Sequence, residues 1–164
     1  MASAMLVCGS RSLIIGPDGK PCRNGLAWVA DTLRAVLSPR PDLLIHGGAR
    51  GPDEMADTEA ARVQVPDILT FYPNGTLRQR RAGLPPVHAT YSEYRWGDEY
   101  SERGPLVRNK AMVLYVTELV ALGWTARVVG LVDATSPTRG TDHTLRHARA
   151  AGLPVERLAW ECPR

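Results

Sequence analysis

A chain of 164 residues, 44% hydrophobic and 23% charged, has room for one domain with a real core but not for two. Its net charge of +3 and pI near 9.0 favour anionic ligands, without the concentrated basic stripe of a duplex-DNA binder. Three scattered cysteines without a CxxC pair exclude a disulfide framework and a zinc ribbon, and no apolar stretch is long enough to span a bilayer.

In chain order, Met5 to Cys8 is a short apolar run that stops at Gly9-Ser10 and reads as a first strand. Leu26, Val29, Leu33, Val36 and Leu37 keep one helical face, with Asn24 as the expected cap. A second strand, Leu43 to His46, stops at Gly47-Gly48. Gly51-Pro52 then opens a second helix with Asp53 and Glu54 in its first turn. Ile68 to Tyr72 is a third strand. From Pro73 to Arg103 no period persists, and a connection of that length is usually functional or mobile. Gly104-Pro105 opens a third helix that runs to about Leu122. Val128 to Val132 is a fourth strand stopping at Asp133. Thr141 reads as the cap of a fourth helix ending before Gly152, and Val155 to Leu158 closes the series. Short apolar runs without alternation suit strands buried on both faces. The alternating order predicts an α/β fold: a Rossmann-like, doubly wound, mainly parallel sheet with helices on both faces. Residues 1–164 form one domain, with an irregular connection at about 73–103. The N-terminus lacks the basic region of a signal peptide, so a cytoplasmic location is expected.

Residues able to do chemistry gather where strands give way to helices. Gly9, Ser10 and Arg11 follow the first strand. Gly47, Gly48, Arg50, Gly51 and Asp53 follow the second, and Thr138, Arg139, Gly140 and Thr141 follow the fourth. In an open α/β sheet these corners emerge on one edge, where ligands bind. Glycine lets backbone N–H groups approach a phosphate, the helix N-terminus adds partial positive charge, and Arg supplies forked donors. Arg108, with Asn109, is expected in the first turn of the third helix, where a bound anion would relieve an unfavourable cation. No corner is a GxGxxG or a Walker loop, so ATP hydrolysis at a P-loop is not expected. Each piece also has a plainer reading: Gly-Gly after a strand as a turn, Thr before a helix as a cap.

These motifs, with Pro105 and Met112, Ala148 and Gly152, resemble the SLOG superfamily, closest to its small YspA/YpsA-related branch. More distant relatives are the LOG phosphoribohydrolases and the DprA/Smf proteins. The resemblance implies a Rossmann-like sheet that binds a nucleotide or nucleotide-derived signal at these corners. LOG enzymes carry Pro-Gly-Gly-x-Gly-Thr and an essential Glu three residues after its Thr. Aligned on Gly140-Thr141, this chain has Thr144 there, and a hydroxyl cannot stabilise positive charge on a ribose as a carboxylate does. The leading reading is therefore a sensor or sequestering module for an ADP-ribose or NAD-type ligand. A nucleotide N-glycosidase using Asp53, Glu54 or Asp142 comes second, and nucleic-acid binding of the DprA type third. The expected partners are a nucleotide-type small molecule and a second copy of the chain, with no membrane, no cofactor and no metal.

Weaker features read more simply. His143 and His147 stand four apart on a helix but lack a third ligand, so they read as surface or capping residues. Cys8 reads as a small core residue, and His46 either as core or as a ligand contact. Tyr91, Tyr94, Arg95, Trp96 and Tyr100 would suit stacking on a base, packing of the loop on the body, or a subunit contact. Arg78, Arg80 and Arg81 read as a solvated face. The whole connection is expected as a lid or subunit contact beside the binding edge.

Overall fold

The computed structural model describes residues 1–73, 76–79, 83–85 and 103–161. Among these, the strands are β1 (Ser3–Gly9), β2 (Leu43–His46), β3 (Asp67–Phe71), β4 (Leu77–Gln79), β5 (Thr125–Asp133) and β6 (Val155–Trp160). They form one sheet in the order β4-β3-β2-β1-β5-β6. Every neighbouring pair is parallel except β3 and β4, which are antiparallel. The helices are α1 (Arg23–Val36), α2 (Pro52–Arg62), α3 (Arg103–Ala121) and α4 (Arg139–Ala150), with a single 3-10 turn at Arg11–Leu13.

The inner strands β1, β2, β3 and β5 are buried on both faces, which is why they lack alternation. Along β1, Ala4, Leu6 and Cys8 point to one face, where Met112, Tyr115, Val116 and Leu119 of α3 and Leu145 and Ala148 of α4 cover them. Met5 and Val7 point to the other, against Val29 and Leu33 of α1 and Ala56 and Ala60 of α2. Each fully buried Leu or Val contributes about 1.5–3 kcal/mol over leaving it exposed. Among the described residues no helix is long and apolar enough to cross a membrane.

The structure corrects four local expectations. The connection after β3 is not wholly irregular, because Leu77–Gln79 returns as an antiparallel edge strand whose residues are all exposed. One short, one-sided strand buries too little to leave a hydrophobic pattern in sequence. Helix α1 starts at Arg23 after Cys22, so Asn24 lies inside its first turn rather than capping it. Helix α4 starts at Arg139 with Thr138 in the cap position, which puts Thr141 inside the helix. Arg108 is the sixth residue of α3, past the first turn. The run Tyr91 to Tyr100, with Arg80 and Arg81, lies outside the described residues, as does most of the segment expected as a lid.

Candidate functional site

Strands β1 and β5 are adjacent, and the chain leaves them in opposite directions. From β1 it passes through α1 toward β2 and β3, whereas from β5 it passes through α4 to β6. Where crossovers diverge in this way, the loops part and leave a crevice at the carboxyl ends of the strands. A cavity of about 320 Å3 occupies that crevice. Cys8, Gly9, Ser10, Arg11 and Ser12 reach it from β1 and the turn after it. Ala49 and Asp53 reach it from the corner after β2, and Pro105, Arg108, Asn109 and Met112 from α3. Ser136 through Thr141, with Thr144, complete it from the corner after β5.

The α4 side presents hydrogen-bond donors. The first N–H groups of a helix have no partner within it, and the Thr138 side chain makes no capping bond to them. Its hydroxyl instead donates to the Asp142 carboxylate. That bond, together with Arg157, holds Asp142 below the usual carboxylate range against the opposing effect of burial. Asp142 and Glu54 are absent from the cavity lining. The buried hydroxyls of Ser10 and Thr141 lie 3.5 Å apart, and either could donate to the other. Arg11 and Arg139 are exposed at the rim. Gly140 has nothing nearer than 3.9 Å to where a Cβ would sit, so the protein's own packing leaves this approach open.

The opposite wall is a hydrogen-bonded frame. The Gly47 N–H donates to Asp53 Oδ2 at 3.0 Å, and Arg108 Nη1 donates to the Gly47 carbonyl at 2.8 Å. Arg108 Nε and Nη2 donate to Asn109 Oδ1 at 3.1 and 2.9 Å, and Asn109 Nδ2 donates to the Gly140 carbonyl at 3.1 Å. The corner after β2 is thereby tied through α3 to the start of α4. Arg108 is buried in this frame, with its N–H groups taken up by the Gly47 carbonyl and Asn109 Oδ1. Burial pushes the Asp53 carboxyl up; the Arg108 charge and the N–H groups of Gly47 and Ala49 pull the other way.

Gly47, Gly48, Arg50 and Gly51 are outside the cavity lining. Their glycines have reasons within the fold. A Cβ on Gly47 would lie 2.8 Å from Arg108 Cζ, and Gly48 and Gly51 have φ of +63° and +109°, where L side chains are strained. Gly9 lines the cavity, yet a Cβ on it would lie 2.3 Å from Pro52 Cβ, so it also lets α2 close onto β1. His46 is buried away from the cavity. The Gly48 N–H donates to its Nδ1, which assigns the proton to Nε2, 3.2 Å from the Thr70 hydroxyl. Cys8 is buried, and burial pushes its thiol up, so it stays protonated. The rings of His143 and His147 contact each other at 3.2 Å between Nε2 atoms, and among the described residues no group of three metal-ligating side chains forms.

The expected ligand-binding residues did not include Cys8, Ser12, Ala49, Pro105, Met112, Ser136, Pro137 or Thr144, which also line the cavity. Ser12 had a signal, a lone hydroxyl before the apolar run Leu13-Ile14-Ile15. Ala49 lies inside the glycine-rich corner after β2, but only the path of the loop brings it, rather than its glycines, to the cavity. Compared with protein-family models, with curated proteins and with solved structures, the chain matches none.

Proposed function

We propose that the chain binds a phosphate-bearing, nucleotide-type small molecule of the ADP-ribose or NAD class, acting as its sensor or sequestering module. The observation that carries this reading is the crevice between β1 and β5, where the unpaired start of α4, the Ser10 and Thr141 hydroxyls and the rim arginines converge. Such a helix start is a ready anion site, because its N–H groups point outward and its dipole favours negative charge. The resemblance of the same motifs to SLOG proteins supports the reading.

The second reading, N-glycoside hydrolysis, keeps one favourable observation: Asp53 is the one carboxylate among the described lining residues. Asp53 is, however, already engaged by Gly47, and Thr144 is fully buried with its hydroxyl donating to the Gly140 carbonyl. Binding without turnover is therefore favoured. A cavity of about 320 Å3 also suits a small molecule better than a nucleic-acid strand, which tracks an extended basic groove.

Calorimetric titration with ADP-ribose tests the proposal. Arg139→Ala, at an exposed position, should weaken binding by about 1–3 kcal/mol, the scale of charge-assisted hydrogen bonds. Unchanged affinity in the folded variant overturns the assignment. Release of free base from nucleoside monophosphates at about 1 per second or faster would replace it with the hydrolase reading.

A further inference from the structure

A second cavity, of about 590 Å3, lies beside the first. Ser12 and Ser136 line both, so the two adjoin across these residues. Their chemistry differs. The first cavity offers helix N–H groups, hydroxyls and arginines, and its carboxylate, Asp53, is engaged by the Gly47 N–H and pushed by burial toward the neutral form. The second is walled by Ile15, Pro17 and Cys22, and the charged group among its described lining residues is the carboxylate of Asp133 at the end of β5.

Asp133 Oδ1 accepts from the N–H and hydroxyl of Thr135 at 2.9 and 2.7 Å, and the Ser12 hydroxyl adds a further bond. Burial raises this carboxyl, but those bonds outweigh it and hold Asp133 below the usual carboxylate range. It is charged at neutral pH and only accepts hydrogen bonds. A carboxylate has about four acceptor positions, so these bonds leave room for a ligand donor. A phosphate in this cavity would meet a like charge. A sugar hydroxyl or a base amino group would meet an acceptor beside an apolar wall.

We infer that the ligand lies across both cavities, with its phosphates in the first and its nucleoside end in the second, donating a hydrogen bond to Asp133. The inference rests on the reading of the first cavity as a phosphate site. It fixes the direction of the ligand on the sheet edge and its class: a phosphate ester whose far end is flat or apolar, uncharged and hydrogen-bond donating. Free phosphate or pyrophosphate satisfies only half of the site.

The test compares ADP-ribose with inorganic pyrophosphate by calorimetry and amide exchange. Ile15→Glu places a negative charge on the wall of the second cavity at an exposed side chain, so the fold is retained. Asp133→Asn removes the charge and keeps an acceptor for Thr135. Each should raise the Kd for ADP-ribose at least tenfold while changing that for pyrophosphate less than threefold; Arg139→Ala should weaken both. ADP-ribose, but not pyrophosphate, should slow exchange over residues 14–20. If Ile15→Glu binds ADP-ribose as the parent does and exchange over 14–20 is unaltered, this inference is overturned, while a response to Arg139→Ala leaves the phosphate site standing. If ADP-ribose does not bind the parent at millimolar concentration, the phosphate reading and this inference fall together.

Discussion

His46 shows how one buried side chain sets a dependence on pH. It is 1% exposed, and desolvation by burial lowers its pKa from the ordinary value of 6.5. Above pH 6.5 it is neutral in both the folded and unfolded chain. As the pH falls through 6.5 the unfolded chain takes up a proton that the folded chain refuses, so stability declines toward the lowered folded pKa. The slope is at most about 1.4 kcal/mol per pH unit for one histidine. His143 and His147 are shifted the same way, chiefly by burial. Asp53, raised by burial, works in the opposite sense as the pH falls through its raised folded value. His46→Gln in a His143→Gln/His147→Gln background should therefore lose less stability between pH 7 and pH 5 than that background does. Equal losses in denaturant titrations at the two pH values would show that His46 is charged in the folded state.

At the scale of elements, two close backbone approaches set how helices meet the sheet edge. Pro52 at the start of α2 closes onto Gly9, and the backbone of Gly25 in α1 meets the 3-10 turn after β1. A Cβ on Gly25 would lie 1.6 Å from the Leu13 carbonyl oxygen, a backbone atom that cannot swing away as a side chain would. Gly25→Ala gains helix propensity of about 1 kcal/mol, yet it must push α1 off the turn. The overpacking, about 3 kcal/mol at so close an approach, should dominate, with a net loss of about 2 kcal/mol. For a domain of this size that lowers Tm by roughly 4–8 °C. A variant melting at or above the parent would show that α1 slides without penalty. The same turn carries Arg11 and Ser12, so the variant should also weaken ligand binding.

At the scale of the whole molecule, the strand order places the candidate site. Because β1 and β5 are neighbours, corners separated by more than 120 residues face each other, as the 3.5 Å approach of Ser10 to Thr141 shows. A ligand held between them joins the two halves of the sheet and has no counterpart site in the unfolded chain. ADP-ribose at one hundred times its Kd should then stabilise the fold by about 2.7 kcal/mol. That corresponds to a Tm rise of roughly 5–11 °C, growing with ligand concentration. A melting temperature that does not move with ligand would sink the nucleotide-binding proposal at this scale.

Much of this arrangement was legible in the residues themselves. Unbroken apolar runs such as Leu43 to His46 report strands covered on both faces, since a one-sided strand would alternate. Gly-Pro at 51–52 marks the start of α2 because proline's missing N–H costs nothing there. The same local logic placed Ser10, Arg11, Arg139, Gly140 and Thr141 at strand ends, and these do line one cavity. It could not say which glycines serve the fold. Gly47 looks like a phosphate loop in sequence, but its space is taken by Arg108, a residue 61 positions away. Nor could it find β4, which buries too little to leave a pattern, or the second cavity, whose walls come from Ile15 and Asp133 on separate segments. Periodicity and turn chemistry are local properties that one segment carries alone. Whether a glycine makes room for a ligand or for an arginine depends on what another segment brings against it, and only the packed chain decides that.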